Sequence, residues 1–228
     1  MGISLRRNRL GWMLYCALAC LAMVPGAVAE SLAASNLSFT FDFPGSEPGH
    51  YVISVASDGK ASYDSNGKLT SDSEPEAPFR LEFSVSPQTC ERMFELVKKA
   101  KYLRGQIDSK RQGLASTGVK ILAYKDGNIS SEATYNYSPI AAVQQLTDLF
   151  QSMSGTLEFG RRLEYFHRYQ KLALDEELKR MEDLSAHGEI TELSAIEPVL
   201  KEIVDDPSVI TVVRARAQRL RAAGSGPK

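Results

Sequence analysis

Cysteine is nearly absent. The 228 residues hold three, and two of these, Cys16 and Cys20, fall in the apolar opening of the chain. With that opening removed, Cys90 has no intrachain partner, so no disulfide framework holds the fold and a hydrophobic core must do so. Histidine is as scarce: His50, His167 and His187. No two are spaced i, i+4 for a helix and none neighbours Cys90, so no metal-ligating pair can be read and no metal or cofactor is expected. There is no G-x-S-x-G elbow and no glycine-rich phosphate loop, and no catalytic residue is assigned. Nor does one sign of charge dominate: 27 basic residues face 28 acidic ones. That balance argues against a general nucleic-acid binder. Beyond the opening, no apolar run approaches the length of a membrane-spanning helix.

What the chain does have begins with MGISLRRNRLGWMLYCALACLAMVPGAVAE. Arg6, Arg7 and Arg9 form a basic start, Leu10 to Val24 an apolar run too short to span a bilayer, and Ala27-Val28-Ala29 an A-x-A cleavage signal. This is the pattern of a secretory signal peptide over residues 1–29, which places the protein in the periplasm or outside the cell. Cleavage after Ala29 leaves 199 residues, with 24 basic against 28 acidic side chains and a formal charge of −4. A competing reading makes it a lipid-anchored envelope protein: Cys20 follows Ala17-Leu18-Ala19, which resembles a lipobox with its leucine one place out of register.

Residues 30–36 read as a flexible leader. LSFTFDF (37–43), HYVISVAS (50–57), KASYDS (60–65) and FRLEFSV (79–85) alternate apolar and polar, the period of half-buried strands. Asp58-Gly59 reads as a two-residue hairpin turn. GVKILAY (118–124) and NISSEATYNY (128–137) make a second hairpin. A three-residue loop, 126–128, aligns Val119, Ile121 and Ala123 with Tyr135, Ala133 and Ser131, and this register is preferred. Ser86-Pro87 and Ser138-Pro139 are each followed by an amphipathic helical pattern, as expected of serine caps with proline in the first turn. After Ser86-Pro87 the stripe is Cys90, Met93, Phe94, Val97 and Ala100, which turns Cys90 toward the sheet.

The chain from Thr156 to about Ala186 is helical by composition, and Gly188 ends it. Ser194 and Glu197 suit a capping box, and Asp206-Pro207 divides two final helices. The expected fold is α+β: an antiparallel sheet of about six strands, two Ser-Pro-capped helices on one face, then a three-helix tail. The division is an α+β domain at 37–154, a helical tail or small helical domain at 155–223, and a disordered end at 224–228.

The final helical pair resembles one HEAT-like repeat through Ala195, Pro198-Val199-Leu200, Ile203, the turn Asp205-Asp206-Pro207, Val213-Arg214, Ala217 and Leu220. The simpler reading is a helical hairpin packed on the long helix before it. In layout the mature chain resembles a type of secreted bacterial protein of unknown function, with a strand-rich half leading into a tail like LEYFHRYQKLALDEELKRME…AIEPVLKEI. That resemblance brings no catalytic residues.

Four candidate features remain. Cys90 is either core or a nucleophile, with His167 as its one conceivable base. Arg214, Arg216, Arg219 and Arg221 form a basic last helix that either meets an acidic partner or faces solvent near a helix C-terminus. Tyr51, Tyr135 and Tyr137 either line a binding surface or pack in the core. Asp175, Glu176, Glu177, Glu182 and Asp183 read as a solvated helix face. The expectation is an exported, non-enzymatic envelope protein that binds another envelope protein or assists assembly, with a Cys90-dependent hydrolase or redox protein as the alternative.

Overall fold

The computed structural model describes residues 34–69, 78–127 and 129–225. The signal segment with Ala27, Ala29 and Cys20, most of the leader, most of the acidic loop at 71–78 and the last three residues lie outside the described residues.

Six antiparallel strands form one sheet: β1 (Asn36–Asp42), β2 (His50–Ala56), β3 (Lys60–Ser65), β4 (Phe79–Ser84), β5 (Val119–Asp126) and β6 (Ile129–Tyr135), in the order β4-β3-β2-β1-β5-β6. The period-2 pattern sets the faces. Leu37, Phe39 and Phe41 of β1, Tyr51, Ile53 and Val55 of β2, and Ala61 and Tyr63 of β3 are buried on one side. Their neighbours along each strand face away.

Both hairpin turns differ from the sequence expectation. Val55 pairs with Ala61, so the first loop is Ser57–Gly59, three residues long, with Gly59 at φ +85°. That left-handed position is the one a three-residue hairpin reserves for glycine. In the second, Asp126 pairs with Ile129 and Leu122 with Ala133, so two residues separate the strands. The register expected from Val119, Ile121 and Ala123 is therefore off by one residue. Lys120, Leu122 and Tyr124 face the core and Val119 is exposed. The reason is cross-strand packing: Phe39 lies opposite Leu122 and Leu37 opposite Tyr124, burying larger apolar bodies than Ile121 and Ala123 would. The cost is a buried lysine.

Helix α1 (Pro87–Lys99) starts as expected, with Pro87 in its first turn and the Ser86 hydroxyl accepting from the Thr89 N–H at 3.3 Å. Cys90, Met93, Leu96 and Val97 are its buried residues. The second Ser-Pro pair stands two residues ahead of its helix. The Ser138 hydroxyl accepts from the Ile140 N–H, and α2 (Ala141–Tyr169) begins without a side-chain cap. Helix α2 is 29 residues long and runs unbroken past residues 154 and 155, where the sequence reading divides domain from tail.

Three further helices follow: α3 (Leu174–Ala186), α4 (Glu197–Asp205) and α5 (Thr211–Gly224). The expected Ser194–Glu197 capping box does not form. Ser194 lies in a short 3₁₀ turn, Leu193–Ile196, and Ile196 takes the cap position of α4. Gly160 of α2 lets this turn come close, since a Cβ there would sit 2.4 Å from Ile196 Cγ2. One continuous apolar cluster runs from the sheet through α1 and α2 into the tail, ending on Leu200, Ile203, Val213, Ala217 and Leu220.

Candidate functional site

Ser154, Glu158 and Arg161 follow one another at i, i+4 and i+7 on α2, the spacing of a helix face. That face looks onto the β3 end of the sheet, and all three residues are buried. Glu158 Oε1 accepts from the Tyr63 hydroxyl at 2.7 Å and from the Ser65 hydroxyl at 2.5 Å. The Tyr63 and Ser154 hydroxyls lie 2.9 Å apart. Arg161 stands 3.8 Å from the Glu158 carboxylate, donates to the Gly67 carbonyl at 2.7 Å and stacks over the Phe79 ring. Gly67 closes the cluster, because a Cβ there would fall 2.7 Å from Glu158 Oε2. Burial and the adjacent Glu158 charge hold the Tyr63 hydroxyl well above its ordinary pKa, so it stays a donor.

This buried cluster borders a cleft of about 480 Å³. Tyr51, Ser154 and Glu158 belong to its floor, Phe41 and Phe159 to its apolar walls, and Glu47, Glu189 and Arg180 to its rim. Tyr51, like Tyr63, is pushed up by burial. The loop carrying Glu47 turns through a cis Glu47–Pro48 bond, and Ser46 holds it by donating to the Phe43 and Pro48 carbonyls. Arg162 and Arg180 both lie over the Phe159 ring, and Arg162 also pairs with Glu177 at 2.5 Å.

A second cleft, about 430 Å³, shares Gln151 with the first and is lined by Lys120, Tyr135 and Tyr137 among others. The Lys120 ammonium donates to the Thr117, Gly118 and Asn136 carbonyls and to the Thr117 hydroxyl, at 3.0–3.3 Å. Among the described residues no carboxylate lies within ion-pair distance of it, and burial pulls its pKa down. Its hydrogen bonds are saturated by loop and strand oxygens, which makes it a clamp on the start of β5. Thr147 donates to the Val143 carbonyl, so Tyr135, 2.6 Å away, donates to Thr147. Burial pushes the Tyr135 hydroxyl up to about 12.

Cys90 is 6% exposed, with its thiol against the Ala56 and Ser57 carbonyls at 3.7 and 3.8 Å. It borders a surface hollow with Asp58, Gly59, Glu91 and Phe94, and no histidine lines that hollow. Burial pushes the thiol up, and the charges of Asp58 and Glu192 add to this. A neutral thiol without a base is a poor nucleophile. Native protein at neutral pH is expected to react with a disulfide thiol reagent about 100-fold or more slowly than protein in denaturant. Rapid stoichiometric labelling of the folded chain would reverse this assignment.

His167 is engaged elsewhere. Its Nε2 lies 2.9 Å from Asp206, whose carboxylate also takes Lys171 Nζ at 2.6 Å and the Ser208 hydroxyl at 2.7 Å. The serine bonds to the aspartate and not to the imidazole, so the group lacks the nucleophile–base contact of a hydrolytic triad. It works as a clamp joining the end of α2 to the turn between α4 and α5. Hydrogen bonds from Lys171 and Ser208 hold Asp206 far below the usual carboxylate range. A depressed folded-state pKa contributes stability above the unfolded value of about 3.9, and that contribution is lost as pH falls through the folded pKa. Wild type is therefore expected to lose denaturant resistance more steeply than Asp206→Asn between about pH 4 and pH 2, with the two curves converging at the acid end. Parallel curves would show that the clamp is not linked to this proton.

Three of the four arginines of α5 meet carboxylates of their own chain. Arg216 pairs with Asp175 and Glu182, Arg219 with Glu182 and Arg221 with Glu197. Asp175 and Glu182, read from the sequence as part of a solvated face, are their partners. Arg214 is half-buried, with an Nε that finds no hydrogen-bond acceptor among the described residues. Another link ties tail to sheet: Glu192, at φ +58°, accepts from both the N–H and the hydroxyl of Ser86 at the start of α1. Among the described residues no three of His, Cys, Asp and Glu converge as metal ligands. Comparison with protein-family models and with curated proteins finds no match for this chain, so geometry alone carries the reading of the site.

Proposed function

We propose that the chain is an exported, non-enzymatic envelope protein that acts by binding another envelope protein, through the face of the sheet turned away from the helices. The observation that carries this reading is the composition of that face. Ser62, Ser54 and Ser38 lie side by side across β3, β2 and β1, with Glu82 and Glu132 at the two edges of the same row. Asp64, Val52, Thr40, Ile121 and Thr134 form the next row, with Arg80 bonded to Asp64 at 2.6 Å at its edge. Short hydroxyl side chains lose little rotamer freedom on contact and present donors and acceptors at one level. Such a surface suits a polar, separable interface better than a permanent apolar one. Three of the four arginines of α5 are committed to internal carboxylates and Arg214 is half-buried, so partner contact is assigned to the sheet and not to α5. Export rests on the basic, apolar and A-x-A sequence of the first 29 residues.

The test is Ser54→Arg, at the centre of the face, in affinity-tagged protein recovered from its native envelope. Recovery of a co-purifying envelope protein is expected to fall about tenfold or more, the equivalent of about 1.4 kcal/mol, with the urea midpoint unchanged. Undiminished recovery would reject the sheet as the docking surface.

A further inference from the structure

We infer that the cleft between the 43–49 loop, α2 and α3 is a binding site for a small organic monocation, one carrying a primary ammonium or guanidinium group. It lies on the helix-covered side of the sheet, so it stands independently of the docking face proposed above.

The direction of the hydrogen bonds in the floor decides the ligand's sign. Glu158, as a carboxylate, has no proton to give, and its Oε1 takes the protons of Tyr63 and Ser65. A phenol has one proton. Tyr63 has spent its own on Glu158, so in its 2.9 Å contact with Ser154 the serine is the donor. Ser154 then has no second proton, and it meets the cleft with its lone pairs. The Tyr51 hydroxyl, also on the floor, is a rotor that can turn its lone pairs to a cation in the cleft. The Tyr63, Ser65 and Ser154 protons are thus drawn toward Glu158, and Ser154 and Glu158 offer the cavity acceptors only. These groups are fully or almost fully buried, so the polarity is built in and does not average out with solvent.

The rim adds charge of the same sense. Glu47 accepts the Lys68 N–H, and among the described residues neither Glu47 nor Glu189 has an ion-pair partner. Arg162 is neutralised by Glu177. Arg180, lying over Phe159 at 5.6 Å, opposes a second positive charge at that wall. A monocation therefore fits and a polyamine does not. Phe41 gives its carbon body an apolar wall, and about 480 Å³ is room for a molecule of metabolite size.

The probe is n-butylammonium chloride, with 1-butanol and sodium butyrate as neutral and anionic isosteres, titrated at fixed ionic strength into methyl-labelled mature protein. The ammonium is expected to shift the Leu184 and Ile190 methyl signals with a Kd of about 1–10 mM, as befits so small a probe. Each isostere should bind at least about tenfold more weakly. Tyr51→Phe and Glu189→Gln should each weaken the ammonium about threefold or more while leaving the methyl spectrum of the unliganded protein folded. Equal binding of the three probes would overturn the inference. So would the absence of Leu184 and Ile190 shifts at about 50 mM ammonium, which lies well above the expected Kd, or an ammonium affinity indifferent to both substitutions.

Discussion

Glu158→Ala is expected to destabilise the fold by about 3–5 kcal/mol, the range for removing one partner from a buried polar group. The carboxylate is 3% exposed and takes hydroxyl protons from Tyr63 and Ser65. Truncation leaves the Ser65 hydroxyl without its acceptor, opens a void beneath β3 and removes a carboxylate charge 3.8 Å from Arg161. Glu158→Gln should cost much less, because the amide oxygen can still accept both protons and only the charge is lost. Urea unfolding measures both: the midpoint should fall for each variant, far more for alanine, with an unchanged denaturant slope. If the two variants are equally destabilised, the loss lies in the charge pairing with Arg161. If neither shifts the midpoint, the cluster contributes nothing to folding.

Phe150→Ala should have an effect of similar size from a different cause. Phe150 is fully buried and lies parallel to Phe39 of β1, with ring centroids 5.0 Å apart and planes within 8°. That stack joins α2 to the sheet. Truncating a buried phenylalanine costs about 3–5 kcal/mol, the transfer term plus the cavity left by incomplete relaxation. Phe150→Leu should recover most of this, since volume-conserving apolar swaps usually cost under about 1.5 kcal/mol. Equal losses for alanine and leucine would mean that ring stacking matters more than filled volume.

The legible parts of this protein are those where one period is unambiguous. Leu37, Phe39 and Phe41 alternate with Asn36, Ser38, Thr40 and Asp42, and Cys90 shares a helical stripe with Met93 and Val97. Each is buried as its spacing requires. The β5 segment V-K-I-L-A-Y was ambiguous because both of its faces carry apolar residues. Local alternation does not reveal that a shell of carbonyls buries Lys120. Those carbonyls come from a loop and from the end of β6, which no local pattern reveals. The long run of α2 was hidden by Ser154-Gly155, which looks like a break. Ser154 is instead held by Tyr63, 91 residues away in sequence. The cleft is hidden in the sequence for the same reason. Ser154, Glu158 and Arg161 were visible as a polar line inside an apolar helix, but their partners Tyr63, Ser65 and Gly67 are more than 90 positions earlier.

The uninterrupted α2 has a mechanical consequence. At about 1.5 Å per residue its 29 residues make a beam roughly 43 Å long. Its first half lies against the sheet, and its second half both reaches the sheet through Glu158 and Arg161 and carries α3 and α4. Severing the chain near Gly155 would not release two self-sufficient pieces, because each would keep half a helix with a bare apolar flank. Melting should accordingly sweep the strands and the terminal helices together in a single cooperative step, and amide exchange at the two ends of that beam should report the same opening energy.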